Sequence, residues 1–256
     1  MARPKDEREI TLLQRLGFLF FPRRCIFCDE PVKPDWPACE TCEKTLPRIT
    51  GEICPHCGLG LEHCTCQGAF SPLDGNRSVF YYTGRGERGV VQFKFHGRRD
   101  AAPYLAHLLA SCVKERYGDI SFEGVASVPM FPSKEQERGY NQSDLLARYL
   151  SQELDLPYDR DLLRKVRDYP AQHNLSARER RGNVKHAFQL AHPVPEGSVW
   201  LLVDDVFTTG STLGECARLL KGAGASQVYS VTLAASYRRE IRPQTKVGCQ
   251  TQNKPL

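Results

Sequence analysis

Val-Trp-Leu-Leu-Val-Asp-Asp-Val-Phe-Thr-Thr-Gly-Ser-Thr, residues 199–212, is the stretch that decides the fold of this chain. Five apolar residues lead directly into two adjacent carboxylates, and hydroxyl side chains around one glycine follow. An apolar run without polar alternation predicts a strand buried on both faces, as in a parallel α/β sheet. Ligands of such sheets bind at the carboxyl ends of the strands, so we expect these carboxylates and hydroxyls at a ligand site.

The sequence on either side of this stretch predicts further strands of the same sheet and the helices between them. A helix is expected over residues 212–221 and a strand over 227–234, which together with the first strand form a βαβ unit. Apolar runs at residues 77–82 and 124–129 predict two further strands. Between them we expect a glycine-bounded turn at residues 84–86, a helix over 90–95, and a second helix capped by Asp100.

Composition restricts the class of protein. The chain has 256 residues, of which 41% are apolar, enough for one α/β domain and a small appendage. A net charge of +5 does not by itself indicate nucleic-acid binding. The basic residues are concentrated in segments 85–99 and 160–185, which are either solvated helix faces or an anion-binding rim.

Neither the N-terminal nor the C-terminal segment has a sequence that predicts a membrane span. Residues 1–22 contain acids, and their apolar segment is interrupted by Gln14 and Arg15, so we predict a short amphipathic helix there. Without a secretory signal, the expected compartment is a reducing cytoplasm, where clustered cysteines are more often metal ligands than disulfides. Residues 237–256 form a polar tail that is predicted to be disordered.

Eight of the eleven cysteines form two sets with the spacing of metal ligands. The sets are Cys25, Cys28, Cys39 and Cys42, and Cys54, Cys57, Cys64 and Cys66. A Cys-x-x-Cys turn places two thiolates on one side of a knuckle, and two knuckles close a tetrahedral site for Zn²⁺. We predict one or two structural zinc sites that supply folding energy. His56 and His63 stay alternative ligands in the second set, and an iron–sulfur cluster stays an alternative metal group.

The loop after the two carboxylates has the composition of a phosphate site. Backbone N–H groups at a helix N-terminus, with Thr208, Thr209, Ser211 and Thr212 as further donors, favour an anion, and Gly210 lets the backbone approach closely. Two carboxylates beside such a site would repel the phosphate itself. They are suited to neutral hydroxyls, such as those of ribose, or to a divalent cation. A sugar 5-phosphate fits both parts.

Residues 203–211 resemble the phosphoribosyl pyrophosphate (PRPP) motif of type I phosphoribosyltransferases. A wider pattern comprises, in order, the cysteine knuckles, Lys94-Phe-His-Gly97, Arg138-Gly-Tyr-Asn-Gln142, Gln172-x-x-Leu175, Arg181-x-Asn183, Ala187-Phe188 and the central motif. This pattern resembles the ComF family of ComFC/GntX-like bacterial proteins. The resemblance covers nearly the whole chain, from about Cys25 to Ala235. It implies a type I phosphoribosyltransferase-like parallel sheet flanked by helices, with a small N-terminal cysteine-rich zinc-binding module. The predicted units are a helix at 1–22, the zinc module at 23–68, the phosphoribosyltransferase-like domain at 76–236 and the tail at 237–256.

The resemblance also implies a set of site residues. The PRPP-binding residues would be Val203, Asp204, Asp205, Val206, Phe207, Thr208, Thr209, Gly210, Ser211 and Thr212, with Lys94, Arg98, Arg138 and Arg181 as candidates for the pyrophosphate or a closing lid. Asp204 and Asp205 would be catalytic, binding ribose hydroxyls and stabilising positive charge on the ribose, and Mg²⁺ would bridge those hydroxyls and pyrophosphate. Purine-salvage relatives carry a base-activating acid where this chain has Thr208, so the acceptor stays open, with orotate- or amine-type acceptors among the alternatives.

Three functions compete at this stage. The first is phosphoribosyl transfer from PRPP, in a family associated with DNA uptake in natural transformation. The second is a non-catalytic protein of the same fold that binds single-stranded DNA through its basic rims and zinc module. The third is a zinc-stabilised adaptor for partner proteins such as the competence machinery. Fold alone does not choose between them.

Overall fold

The structure, a computed structural model, describes residues 22–33, 36–64, 66, 72–168 and 186–237. Most of the predicted N-terminal helix (1–22) and of the predicted tail (237–256) lies outside these residues, as does Arg181. The family motif at 172–175 also falls outside them. In the part of the chain that is described, no helix is long and apolar enough to cross a bilayer.

The centre of the molecule is a five-stranded, entirely parallel sheet of order β1-β7-β6-β2-β3. The strands along the chain are β1 (Gly75–Tyr81), β2 (Gly124–Ser127), β3 (Tyr158–Asp159), β4 (Leu163–Lys165), β5 (Phe188–Leu190), β6 (Val199–Phe207) and β7 (Gln227–Ala235). β4 and β5 pair separately as a small antiparallel ribbon. The predicted parallel α/β sheet is therefore confirmed.

Helices cover both faces of the sheet. Their bounds are α1 Glu40–Thr45, α2 Gly84–Phe95, α3 Ala102–Arg116, α4 Pro132–Arg138, α5 Gln142–Leu154 and α6 Ser211–Gly222. Leu201 and Val203 of β6 belong to the core cluster that contains α3 and α5, whereas Trp200 and Leu202 belong to the cluster with α6. Burial on both faces explains why this strand shows no polar alternation in the sequence.

The glycine-bounded turn expected at residues 84–86 is wrong, because α2 already begins at Gly84. The glycines of this helix serve close packing. A Cβ atom at Gly86 would lie 2.6 Å from the carbonyl oxygen of Tyr81, and one at Gly89 would lie 2.4 Å from the ring of Phe27. The predicted cap at Asp100 is also wrong. Asp100 lies in a 3₁₀ turn and pairs with Arg98 instead.

The cysteine-rich region is built onto the sheet and shares its core. Residues 47–49 run along the free edge of β1, where the amide of Ile49 donates to Val79 at 3.1 Å and Tyr81 donates to Pro47 at 2.8 Å. Covering this edge removes a surface that could pair with other chains. Ile26 and Phe27 are fully buried in the cluster that contains α3. The bounds of separate domains stay a prediction, because the core is continuous across them.

Candidate functional site

The carboxyl end of β6 and the first turn of α6 form the candidate site. β6 ends at Phe207 and α6 begins at Ser211, so a three-residue loop joins them. Gly210 has a φ of +70°, and a Cβ atom there would lie 2.9 Å from the ring of Phe207, so only glycine fits this turn. The hydroxyls of Thr209 and Ser211 lie 2.8 Å apart at the surface. Because the first turn of a helix leaves its N–H groups free, the loop can bind an anion.

Asp204 and Asp205 lie at the end of β6, directly before this loop. One oxygen of Asp204 accepts a hydrogen bond from the Ser143 hydroxyl at 2.8 Å and another from the Asp205 amide at 2.9 Å. Asp205 forms an ion pair with Lys94, with 2.8 Å between Nζ and Oδ1. Burial, followed by the charge of Asp205, raises the pKa of Asp204 to about 7, against the opposing effect of Lys94. The site therefore holds one carboxylate paired with Lys94 beside one whose pKa is raised to near neutral pH.

A chain of contacts connects Lys94 to Arg138. Gln142 donates from Nε2 to the carbonyl oxygen of Lys94 at 3.3 Å and accepts from Nη1 of Arg138 at 2.8 Å. The Arg138 guanidinium lies 4.8 Å from the ring centre of Phe95, whose exposed fraction is 62%. Two of the predicted cations, Lys94 and Arg138, are thus connected through Gln142, and Lys94 contacts Asp205 directly.

Arg98 is engaged elsewhere. Its guanidinium donates to Asp100 at 3.0 Å and to the carbonyl oxygen of Arg24 at 2.7 Å, which attaches the cysteine-rich region to the α/β part. A contact of Arg98 with a ligand of the site, and any role of Arg181, stay predictions.

The structure adds two residues that the sequence analysis did not assign to this site. Ser143 lies in the first turn of α5 and its hydroxyl donates to Asp204. In the sequence, its position directly after the Arg138–Gln142 motif is the signal that could have assigned it to the site. Lys165 lies on β4, where strand alternation exposes Arg164 and turns Lys165 inward. Burial lowers the pKa of Lys165, as does the nearby charge of Lys134, whereas Asp168 and Asp204 oppose this. The antiparallel ribbon thus adds a half-buried cation near Asp204.

The cysteines form two clusters, as predicted. In each, four sulfur atoms lie within 4.8 Å of one another: Cys25, Cys28, Cys39 and Cys42, and Cys54, Cys57, Cys64 and Cys66. The Cys28–Cys39 sulfur distance is 3.6 Å and the Cys57–Cys64 distance is 3.7 Å. A tetrahedral zinc with bonds of about 2.3 Å needs sulfur atoms about 3.8 Å apart, so the donor set fits zinc. His63 stacks on Tyr237 at 4.2 Å and is not a member of its neighbouring cluster.

Two family models match the chain. The double zinc ribbon domain matches residues 17–71, and the phosphoribosyl transferase domain matches residues 141–254. The first covers both four-cysteine clusters, and the second covers β6, its carboxylates and the loop before α6. The predicted combination of a zinc-binding module with a phosphoribosyltransferase fold is therefore confirmed.

Curated relatives resemble most of the chain. DNA utilization protein YhgH of Salmonella typhimurium is 36% identical over 82% of this chain and 96% of its own length. Competence protein F of Haemophilus influenzae is 34% identical over 82% of this chain and 95% of its own. Competence protein ComFC of Bacillus subtilis is 30% identical over 83% of this chain and 95% of its own. The protein therefore belongs to the ComF family, in which a double zinc ribbon is joined to a phosphoribosyltransferase domain.

Proposed function

We propose that this protein binds PRPP at the carboxyl end of β6 and transfers its phosphoribosyl group to an acceptor. The observation that carries the proposal is the direct succession of two carboxylates and a hydroxyl-rich helix start in residues 204–212. The loop suits a phosphate, whereas Asp204 and Asp205 suit neutral hydroxyl donors. A ligand that carries a phosphate and vicinal hydroxyls satisfies both.

The residues divide the proposed reaction between them. The loop and the first turn of α6, residues 208–212, hold the 5-phosphate, and Asp204 and Asp205 accept hydrogen bonds from the ribose hydroxyls. As pyrophosphate leaves, positive charge develops on the ribose, and the fixed carboxylates stabilise it. Lys94 and Arg138 supply positive charge for the departing pyrophosphate.

Mg²⁺ fits this site as a companion of the substrate. Its preferred ligands are oxygens, and it is commonly held by substrate phosphates with few protein carboxylates. In the proposed complex Asp204 and Asp205 would lie beside the ion and would accept hydrogen bonds from the ribose hydroxyls. It would supply compensation for the negative charge on the leaving group.

The first test is calorimetric titration of PRPP with excess MgCl₂. Wild type is expected to bind, and Asp204→Asn/Asp205→Asn to weaken binding by at least about tenfold, because each lost charged acceptor removes about 1.5 kcal/mol or more. Asp119→Asn, an exposed acid outside the site, is the matched control and should bind like wild type.

Absence of PRPP binding by wild type would defeat the proposal. Equal binding by the double variant and the Asp119 control would show that PRPP is held elsewhere. Release of pyrophosphate in the presence of candidate nitrogen acceptors then separates a transferase from a protein that only binds PRPP.

A second candidate function, handling of single-stranded DNA, is favoured by one surface feature. Phe95 is exposed and carries the Arg138 guanidinium over its ring, beside the site. Exposed aromatic rings with cations form stacking platforms for unpaired bases. The relatives are named for DNA utilization and competence, and we place the function of this chain, with its competence-machinery partners, in the same process.

Anisotropy of a labelled oligothymidine tests this candidate. Phe95→Ala is expected to weaken binding by roughly fivefold, the lower end of the effect of losing one stacked base. Leu61→Ala removes another exposed apolar side chain and should have no effect. Neutralising Arg164 and Arg167, which are exposed, is expected to lower the salt dependence. Binding that is insensitive to salt and to all these changes contradicts DNA handling by this surface.

We further propose that each four-cysteine cluster holds one structural zinc ion. Both clusters supply four thiolates, which leaves no open position for catalysis. Because unmodified thiolates persist in reducing surroundings, the proposed location is the cytoplasm.

A further inference from the structure

A cavity lies between the cysteine-rich region and the α/β part. The proposed transfer reaction does not use this cavity. Its volume is about 220 Å³, and its walls come from residues 48–53, from β1 and from the last turns of α3. Parallel strands place their carboxyl ends at one edge, where Asp204 lies. Arg116, the last residue of α3, precedes β2 and so lies toward the opposite edge. The cavity is therefore distinct from the candidate phosphoribosyl site.

Among the described residues, three arginines line this cavity, Arg48, Arg77 and Arg116. One acid, Glu115, also lines it and pairs with Arg116 at 3.1 Å. The lining keeps a surplus of two positive charges after this pairing. Burial raises the pKa of the Cys112 thiol to about 11, and Arg116, Arg77 and Arg48 all oppose that shift. All three arginines line the same cavity, so their positive charges act on the same space.

Arg77, in the wall of this cavity, has one N–H group without a hydrogen-bond acceptor among the described residues. Its Nη1 donates to the carbonyl oxygens of Pro55 at 3.0 Å and Asn76 at 2.8 Å, and its guanidinium lies 4.9 Å from the ring centre of Tyr117. Its Nε is buried, and within the described residues it has no hydrogen-bond acceptor. A buried donor without an acceptor is unfavourable, and a rotation of the Arg77 guanidinium toward a ligand oxygen in the cavity would satisfy it.

We propose that this cavity binds a small phosphomonoester, with its phosphate against Arg48, Arg77 and Arg116. A dianionic phosphate matches the surplus of two positive charges, and its oxygens match guanidinium donors. Ile49, Ile53 and Leu108 supply an apolar wall for the body of the ligand. Because Arg48 comes from the cysteine-rich region and Arg77 from β1, the ligand holds these two parts together.

Adenosine 5′-monophosphate and inorganic phosphate serve as probes, titrated at constant ionic strength. The parent protein carries Ser211→Asp, which places a negative charge at the first residue of α6 and is expected to prevent phosphate from binding at the candidate phosphoribosyl site. Arg48→Gln in this parent is expected to weaken binding of the better probe by at least about tenfold, the effect of one charged hydrogen bond. The probe should also raise the melting temperature of the parent but not of the variant.

Three further variants make the result decisive. Arg77→Gln should weaken binding as Arg48→Gln does, and Arg48→Lys, which keeps the charge, should restore most of it. Arg148→Gln changes an exposed arginine on α5 and should bind like the parent. The proposal is overturned if the Ser211→Asp parent binds neither probe, or if Arg48→Gln and Arg148→Gln bind equally. Neither outcome bears on PRPP binding, which is measured in the protein with Ser211 intact.

Discussion

Cys25→Ser is expected to remove about one equivalent of zinc and to lower the free energy of unfolding by roughly 4 kcal/mol. Cys25 is fully buried, and its sulfur accepts from the amides of Phe27 at 3.4 Å and Cys39 at 3.3 Å. The knuckle thus fixes the backbone that carries Phe27 into the core. Loss of the metal removes both the cross-link and that aromatic anchor.

The effect should reach the candidate site, because Phe27 packs on the helix that carries Lys94. Its ring lies 6.2 Å from that of Phe80 and 6.3 Å from that of Tyr104, edge to face, and occupies the space above Gly89. When this ring is released, α2 loses its support. We therefore expect PRPP binding to weaken together with stability.

Metal analysis by mass spectrometry and unfolding in guanidinium chloride measure both parts of this prediction. Cys112→Ser removes a thiol outside both clusters and should keep all the zinc, with a loss of about 1 kcal/mol or less. Phe27→Ala keeps the four ligands and should keep the zinc while losing stability. Wild-type protein that is folded without metal, or Cys25→Ser with full zinc content, would contradict a structural zinc at this cluster.

The sheet and the metal clusters were the parts that the sequence predicted best. Residues 199–207 have no polar alternation because both faces of β6 are buried, and that property is local. The knuckles are equally local, since Cys-x-x-Cys spacing fixes where two thiolates lie. Helix starts were predicted less well. The sequence predicts a turn bounded by Gly84 and Gly86, whereas these residues belong to a helix, in which Gly86 and Gly89 allow a close approach to Tyr81 and Phe27.

The candidate site also has a part that the sequence predicts and a part that it does not. Asp204, Asp205 and the following loop are contiguous, so their proximity is fixed by the chain itself. The partners of these carboxylates are not contiguous with them. Ser143 comes from α5 and Lys94 from the end of α2, and no sequence signal assigned either to a particular oxygen. The sequence analysis gives Arg98 as a candidate site residue, whereas in the structure its guanidinium donates to the carbonyl oxygen of Arg24 in the cysteine-rich region.

Asp204→Asn is expected to stabilise the protein without ligand by roughly 4 kcal/mol above about pH 8. Burial and the charge of Asp205 raise the pKa of Asp204 to about 7 in the folded protein, whereas an unfolded Asp loses its proton near pH 4. Between these values the folded state binds more protons than the unfolded state. Wild-type stability therefore falls as the pH rises from about 4 to about 7, and the variant has no carboxyl group at this position to titrate.

The variant is well suited to isolate this effect, because an asparagine oxygen can still accept from Ser143 and from the Asp205 amide, and the Asp205–Lys94 pair is unchanged. Unfolding in urea at about pH 5.5 and about pH 8.5 should show the advantage of the variant growing by roughly 2 kcal/mol across this interval. Both proteins carry both zinc clusters, so the pH dependence of metal binding cancels in the difference. Asp119→Asn should show no such growth, since that acid is exposed. An advantage that is constant with pH would mean that Asp204 titrates as an ordinary carboxylate. Growth of the advantage would mean that the folded protein holds a carboxylate at a free-energy cost, which hydrogen bonds from ribose hydroxyls would offset on binding.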